Sequence, residues 1–170
     1  MLSKKMTKAL NEQINKEMYS AYLYMSMSAH CSNIGLDGFA NWFMVQYHEE
    51  MAHAMKIYDY LNGQGEKVIL EAIEKPPSGF GTMLEMFEAT LEHEQFITGS
   101  IHGLVDLANE EKDYATQIFL QWFVTEQIEE EGNDNEIIAK LKMVGDEGNG
   151  LFMLDRDMAA RTFTELSATE

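Results

Sequence analysis

Glu17, Glu50, His53, Glu94, Gln127 and Glu130 are oxygen and nitrogen donors that fall where helical spacing calls for an apolar residue. The first of four such stripes reads Leu10, Ile14, Glu17, Ala21, Tyr24, Ser28, and the second Phe39, Phe43, Gln46, Glu50, His53, Ile57, Tyr60. The third reads Phe87, Leu91, Glu94, Ile97, Ile101, Leu104, and the fourth Leu120, Phe123, Gln127, Glu130, Asp134, Ile137, Leu141, Val144. A carboxylate in a helix seam is strongly unfavourable unless a cation or hydrogen bonds compensate it. Four stripes each bringing a carboxylate to the same depth point to a metal site.

Glu50-Met51-Ala52-His53 is an E-x-x-H element, which puts a carboxylate oxygen and an imidazole nitrogen on one helix face. Alone it is a common accident; joined by Glu17 and Glu94 it is not. Oxygen and imidazole donors without thiolates suit iron or manganese. Two ions sharing a bridging carboxylate are the usual outcome of so many acids in one bundle. Glu50 can lie between them, with Glu17 and His53 completing the first ion and Glu94 and Glu130 the second. Gln127 supplies a neutral oxygen or a hydrogen bond beside the second. The fourth stripe has Gln127-Ile128-Glu129-Glu130 where a symmetric site would repeat E-x-x-H. Retention at the second ion is thereby weakened, which suits passing iron onward.

Around these ligands lie Glu49, Glu126, Glu129 and Glu131. On spacing alone Glu49, Glu126 and Glu129 form either a third, looser ion site or a solvated face. Tyr24, two turns beyond Glu17, either donates a hydrogen bond or an electron, or simply packs. Asp134 marks a wet end of the bundle or an ion path. His48, His93 and His102 fall off the seams and are expected at the surface, with His30 at a helix end. Trp122 carries no functional signal, and the methionines are expected to fill core and interfaces.

The elements that must position these residues are long helices, because the only prolines, Pro76 and Pro77, leave uninterrupted chain on both sides. The first helix is expected from Ser3 or Thr7 to Gly35, and the second from a cap at Asp37 to Gly63 and Gly65. The segment from Glu66 to Phe80, about 15 residues, is long enough to cross the bundle lengthwise and leave helices two and three parallel. The third helix is expected from Thr82 to about Lys112, and the fourth from a cap at Asp113 to Gly145. After the break at Gly145, Gly148 and Gly150, the apolar residues Leu151, Leu154, Met158 and Phe163 predict a short fifth helix, then a frayed tail from Ser167. The fold expected is all-α: a single domain over 1–170, a four-helix bundle over about 4–145 with a long crossover, and a fifth helix over about 148–164. The glycine break places residues after Gly145 in assembly and not in catalysis.

A hydrophobic content of 45% is enough for one sizeable core. The net charge of −17, with only 12 Lys and Arg, argues against nucleic acid and favours cations as partners. One cysteine, Cys31, excludes a disulfide, a four-cysteine zinc site and an iron–sulfur cluster within one chain. A reduced, cytoplasmic setting is expected. No signal-like apolar core follows the N-terminal lysines, and no run of about 18 apolar residues predicts a membrane span.

The segments Asn11-Glu12-Gln13-Ile14-Asn15-Lys16-Glu17-Met18-Tyr19-Ser20, Glu49-Glu50-Met51-Ala52-His53, His93-Glu94 and Phe119 to Glu131 resemble those of prokaryotic non-haem ferritins, and the likeness runs from Leu10 to Phe163. This resemblance implies an iron-storage protein. Ferrous iron would be oxidised by oxygen or hydrogen peroxide at an intra-subunit di-iron ferroxidase centre and kept as a ferric mineral in a 24-subunit homo-oligomeric cage. It implies Glu17, Glu50, His53, Glu94, Gln127 and Glu130 as the ferroxidase positions, Tyr24 as the tyrosine beside them, and Glu49, Glu126 and Glu129 as a third iron site. Two departures stand out. Animal ferritins place a carboxylate pair of their threefold channels where this chain has Gln117 and Leu120, leaving the entry route open. Bacterioferritins ligate haem through a methionine at the place of Met51, but the missing second E-x-x-H argues against haem here. The rival functions are a di-iron peroxidase or oxygenase that does not store iron, and a purely structural cage.

Overall fold

Ser3 starts the first helix by accepting the Met6 amide at 3.0 Å, and α1 then runs over Lys4–Asn33 in a computed structural model that describes residues 2–145 and 148–164. Gly35, at φ +81°, ends it. α2 spans Asp37–Gly63, and its start corrects the expected cap. Asp37 sits inside the first turn, and Leu36 at the cap position makes no side-chain hydrogen bond. The amide of Phe39 instead donates to Asp155 Oδ1 at 2.9 Å, from a residue 116 positions away. Gly38 permits this approach, since a Cβ there would stand 1.6 Å from the Asp155 carbonyl oxygen.

Thr82 and Glu85 form the reciprocal cap that opens α3, Met83–Glu111. Lys112 then turns the chain in the left-handed region at φ 56°, and Asp113 caps α4, Tyr114–Val144, by accepting the Thr116 amide at 3.1 Å. α5 covers Asn149–Met158, shorter than the predicted 148–164. Phe163 therefore lies outside the helix, with its ring 5.5 Å from that of His48. The tail from Ser167 lies outside the described residues.

The crossover is strapped to α1 by side chains on one face of that helix. Asn11 Oδ1 accepts from Ile69 N, its amide donates to Lys67 O, Asn15 Nδ2 donates to Ala72 O, and Ser26 Oγ donates to Pro77 O. Asn11 and Ser26 are about 22 Å apart along a helix axis, so the segment travels most of the bundle's length. α2 and α3 consequently run parallel, and the short turns make α1 antiparallel to α2 and α3 antiparallel to α4.

Two apolar cores result. Tyr24, Met27, Phe39, Phe43, Phe87, Ile137 and Leu141 pack at one end with Leu154 and Met158 of α5. Met6, Leu10, Ile14, Ile57, Ile97, Ile101, Leu120 and Phe123 pack at the other. Each large apolar side chain buried in them contributes about 1.5–3 kcal/mol, enough in sum to tolerate the polar layer they enclose. The stripes read from sequence are this interior, except that Tyr60 and Leu91 are half-buried and Val144 is exposed. Among the described residues no helix is long and apolar enough to cross a membrane.

Asp155 is thus a long-range cap. Asp155→Ala is expected to destabilise the fold by about 1–2 kcal/mol, against a few tenths for Asp155→Asn, which keeps an acceptor. Denaturant unfolding of the two variants checks this; equal stability of Asp155→Ala and the parent would refute the capping role.

Candidate metal centre

Between the two apolar cores, Glu17, Glu50, His53, Glu94, Gln127 and Glu130 form one buried layer, none of them more than 4% exposed. Each comes from the middle of its helix, so the apolar residues one turn to either side fix its depth. The donor atoms of Glu17, Glu50 and His53 lie within 4.8 Å of one another, and so do those of His53, Glu126 and Glu130.

Every terminal carboxylate has a neighbour that holds it. Gln13 Nε2 donates to Glu17 Oε1 at 2.8 Å, and Gln13 Oε1 accepts from Ser100 Oγ at 2.6 Å. Lys16 Nζ donates to the same Ser100 oxygen at 2.6 Å, so the chain of bonds reaches from Glu17 to a lysine across α1 and α3. Gln46 Nε2 donates to Glu130 Oε2 at 3.0 Å. Glu94 is held on both oxygens, by the Tyr24 hydroxyl on Oε1 and by Gln127 Nε2 at 3.1 Å on Oε2. Of the six residues of this layer only Glu50 has both side-chain oxygens buried without a hydrogen bond, and Glu17 Oε2 is likewise unpartnered. Glu17 therefore presents one oxygen and Glu50 two, the pattern a terminal and a bridging ligand require. A buried carboxylate left like this is unfavourable, and a divalent cation between these oxygens removes the penalty.

His53 is oriented from both sides. Its Nδ1 lies 3.6 Å from Glu50 Oε2 and its Nε2 lies 3.7 Å from Glu126 Oε1. Trp122 and Phe123 pack their rings 5.4 and 6.2 Å from the imidazole. Trp122, uninformative in sequence, thus walls the imidazole, and Glu126 belongs as much to His53 as to the flanking acids.

Electrostatics in the layer follow from desolvation and crowding. Burial, then Glu94, pushes the Glu50 carboxyl well above the usual range, and burial, then Glu94, raises Glu130 to about 8. Glu94 itself is raised by burial against the hydrogen bonds from Tyr24 and Gln127. Burial would lower His53, but Glu50 and Glu126 outweigh it and hold the imidazole charged. Burial, then Glu94, keeps the Tyr24 phenol protonated, hence a donor. The raised carboxyls favour their protonated forms, and a divalent ion bound among them would have to displace those protons.

The remaining expected residues divide. Glu49 is half-buried and bonded to Arg161, Glu126 faces His53, and Glu129 is exposed. Asp134, one turn beyond Glu130, is 1% exposed with both oxygens unpartnered, and burial followed by Glu94 raises it to about 8. It extends the polar layer inside the bundle and is not a wet end. His48 and His102 are exposed as expected, whereas His93 is half-buried. Its Nε2 lies 2.8 Å from the Ser20 hydroxyl, its ring is flanked by Tyr19 and Tyr24, and burial lowers it to about 4. Leu120 is wholly buried in the bundle. Sequence reasoning missed Gln13 and Arg161 and gave Gln46 no role. For Gln13 and Gln46 a signal existed, a polar residue one helical turn before Glu17 and Glu50.

A family model described as a ferritin-like domain matches residues 7–144. The chain is 46% identical over 165 residues to a bacterial non-heme ferritin of Staphylococcus saprophyticus, covering 97% of this chain and 99% of that one. A bacterial non-heme ferritin of Campylobacter jejuni is 48% identical over 156 residues, covering 92% and 93%. Among solved structures, an open-pore ferritin from the hyperthermophilic archaeon Archaeoglobus fulgidus superposes with a TM-score of 0.94 at 48% identity, covering 95% of this chain and 100% of that one.

Proposed function

The chain belongs to the ferritin family, and on that premise we propose that it oxidises ferrous iron in the buried layer and stores the ferric product inside a cage of identical subunits. The observation that carries this reading is Glu50, a fully buried carboxylate with two unpartnered oxygens, flanked by Glu17, His53 and the second group of donors. A structural bundle gains nothing from such a residue.

Iron is the substrate here. The first ferrous ion is bound by Glu17 Oε2, Glu50 and His53, and its binding discharges the protons held in the layer. The second lies between Glu50 and Glu130, and Glu94 joins it by exchanging its hydrogen bond from Gln127 or Tyr24 for the ion. Each ferrous ion gives one electron to oxygen or hydrogen peroxide. Tyr24 and Gln127 return to Glu94 when the ferric product leaves, so the empty layer needs no large rearrangement to bind again. Glu49, Glu126 and Glu129 form the looser third iron site, and Glu126 links it to the first through His53. The assembly is a homo-oligomer of 24 subunits in the cytoplasm, without nucleic-acid or membrane partners.

Ferrous loading in air followed by size-exclusion chromatography tests storage. The expected product is one large brown particle holding many irons per subunit. A small particle holding about two irons per chain would identify a di-iron enzyme instead of a store.

A further inference from the structure

The residues after α5 return to the bundle, contrary to the separation that the glycine break implies. Asn41 Nδ2 donates to the carbonyls of Met158, Ala159 and Arg161, the last at 2.9 Å, and so seats the segment on α2. The Arg161 guanidinium lies 4.5 Å from the Trp42 ring centre, and its Nη2 donates to Glu49 Oε2 at 2.6 Å. Arg161 and Glu49 side chains are only 21% and 23% exposed, and Nη1 of Arg161 is buried with no partner. Glu49 in turn feels the charges of His53, Glu126 and Glu129. A fixed cation is therefore placed on one of the acids read above as the third iron site.

We propose that Arg161 is a tethered competitor for the third ion: it occupies Glu49 and sets how weakly that site holds iron. This rests on the third-site reading of Glu49, Glu126 and Glu129. A guanidinium with a charge-assisted bond to a carboxylate and a stacked aromatic face is well localised, so an incoming ion must displace it or do without Glu49 Oε2. A mobile third ion is the consequence, which favours onward transfer to the mineral over retention. Because Asn41 and α5 hold Arg161 in place, the docking of the C-terminal segment also sets the affinity.

The test is calorimetric titration of the assembled, iron-free, full-length protein with Zn²⁺. The parent is expected to show tight binding by the buried layer and a looser additional ion. In Arg161→Gln the looser ion should bind about five- to tenfold more tightly, the size expected for a partly exposed charge pair, with the tight class unmoved. Arg161→Lys should remain close to the parent, and Glu49→Gln/Arg161→Gln should lose the gain. Arg161→Met keeps the contact with Trp42 without charge and reports the same gain if the glutamine variant fails to assemble. A looser ion bound with parental or weaker affinity in both neutral variants overturns the proposal. A looser ion that is absent from the parent, or that survives Glu49→Gln unchanged, overturns the third-site reading and the proposal with it.

Discussion

Glu50→Ala is expected to lower the initial rate of ferrous oxidation by more than about 100-fold, beyond what losing an outer hydrogen-bond partner costs a metal site. The substitution takes the carboxylate that has two unpartnered oxygens between Glu17 and His53, and on the proposed reading it removes a ligand from both ions. His53→Ala, which takes the only imidazole of the layer, is expected to fall in the same range. The effect on folding runs the other way. Glu50 is 1% exposed and accepts no hydrogen bond, its one ionic partner being His53 at 3.6 Å, so Glu50→Gln, which keeps the volume and removes an acid from a crowded buried layer, should stabilise the iron-free protein by up to roughly 1–3 kcal/mol. Stopped-flow absorbance with excess oxygen and denaturant unfolding without iron read the two effects. A parental oxidation rate in Glu50→Ala would remove Glu50 from the centre, and a marked loss of stability in Glu50→Gln would show that its oxygens have partners.

The second large effect is a dependence of the iron-free protein on pH that is opposite to ordinary acid denaturation. Burial, then repulsion from Glu94, raises both Glu130 and Asp134 to about 8. A carboxyl raised above its unfolded value is protonated in the folded state and ionised in the unfolded state over the interval between, so its contribution is complete at low pH and is lost as pH rises toward 8. His93, lowered to about 4 by burial, acts in the opposite sense between about pH 4 and 6.5. Between about pH 6.5 and 8 His93 no longer opposes the loss, Glu50 and His53, both raised as well, act in the same sense, and each of Glu130 and Asp134 should remove about 1–2 kcal/mol. Asp134→Asn should abolish part of the slope. Divalent metal should abolish most of the Glu130 share, because binding replaces the proton at every pH in that window. Thermal unfolding with chelator or with Zn²⁺ at several pH values measures this, and stability that rises from pH 6.5 to 8 in chelator would contradict the assignment.

Most of the buried polar layer was legible because its residues interrupt apolar stripes. Glu17, Glu50, His53, Glu94, Gln127 and Glu130 occupy helix-core positions, and a period of 3.6 residues fixes which side chains share a depth. What stayed hidden depends on long-range approach. Nothing near Asp37 signals that the amide of Phe39 is capped from α5, since the acceptor Asp155 is 116 residues away and needs Gly38 to come close. Arg161 was likewise opaque, because its seat on Asn41 and Trp42 forms only after α5 folds back along α2. His93 was misplaced because it lies one position off a seam, on the edge where Ser20 of α1 meets it. The proposed third site illustrates a different limit: Glu126 and Glu129 have the same spacing relative to Gln127 and Glu130 that a solvated face would have. The structure distinguishes the two acids: Glu126 is half-buried with the His53 imidazole at 3.7 Å, and Glu129 is exposed.

Two irons sharing Glu50 in the polar layer would be visible directly. Anomalous diffraction at the iron edge, from crystals of this chain soaked anaerobically in ferrous iron, is the test. Two iron peaks are expected inside each bundle, one among Glu17, Glu50 and His53 and one between Glu50 and Glu130 with Glu94 drawn in. A bundle interior without iron, or a single ion that leaves Glu50 unligated, would contradict the shared-ligand reading.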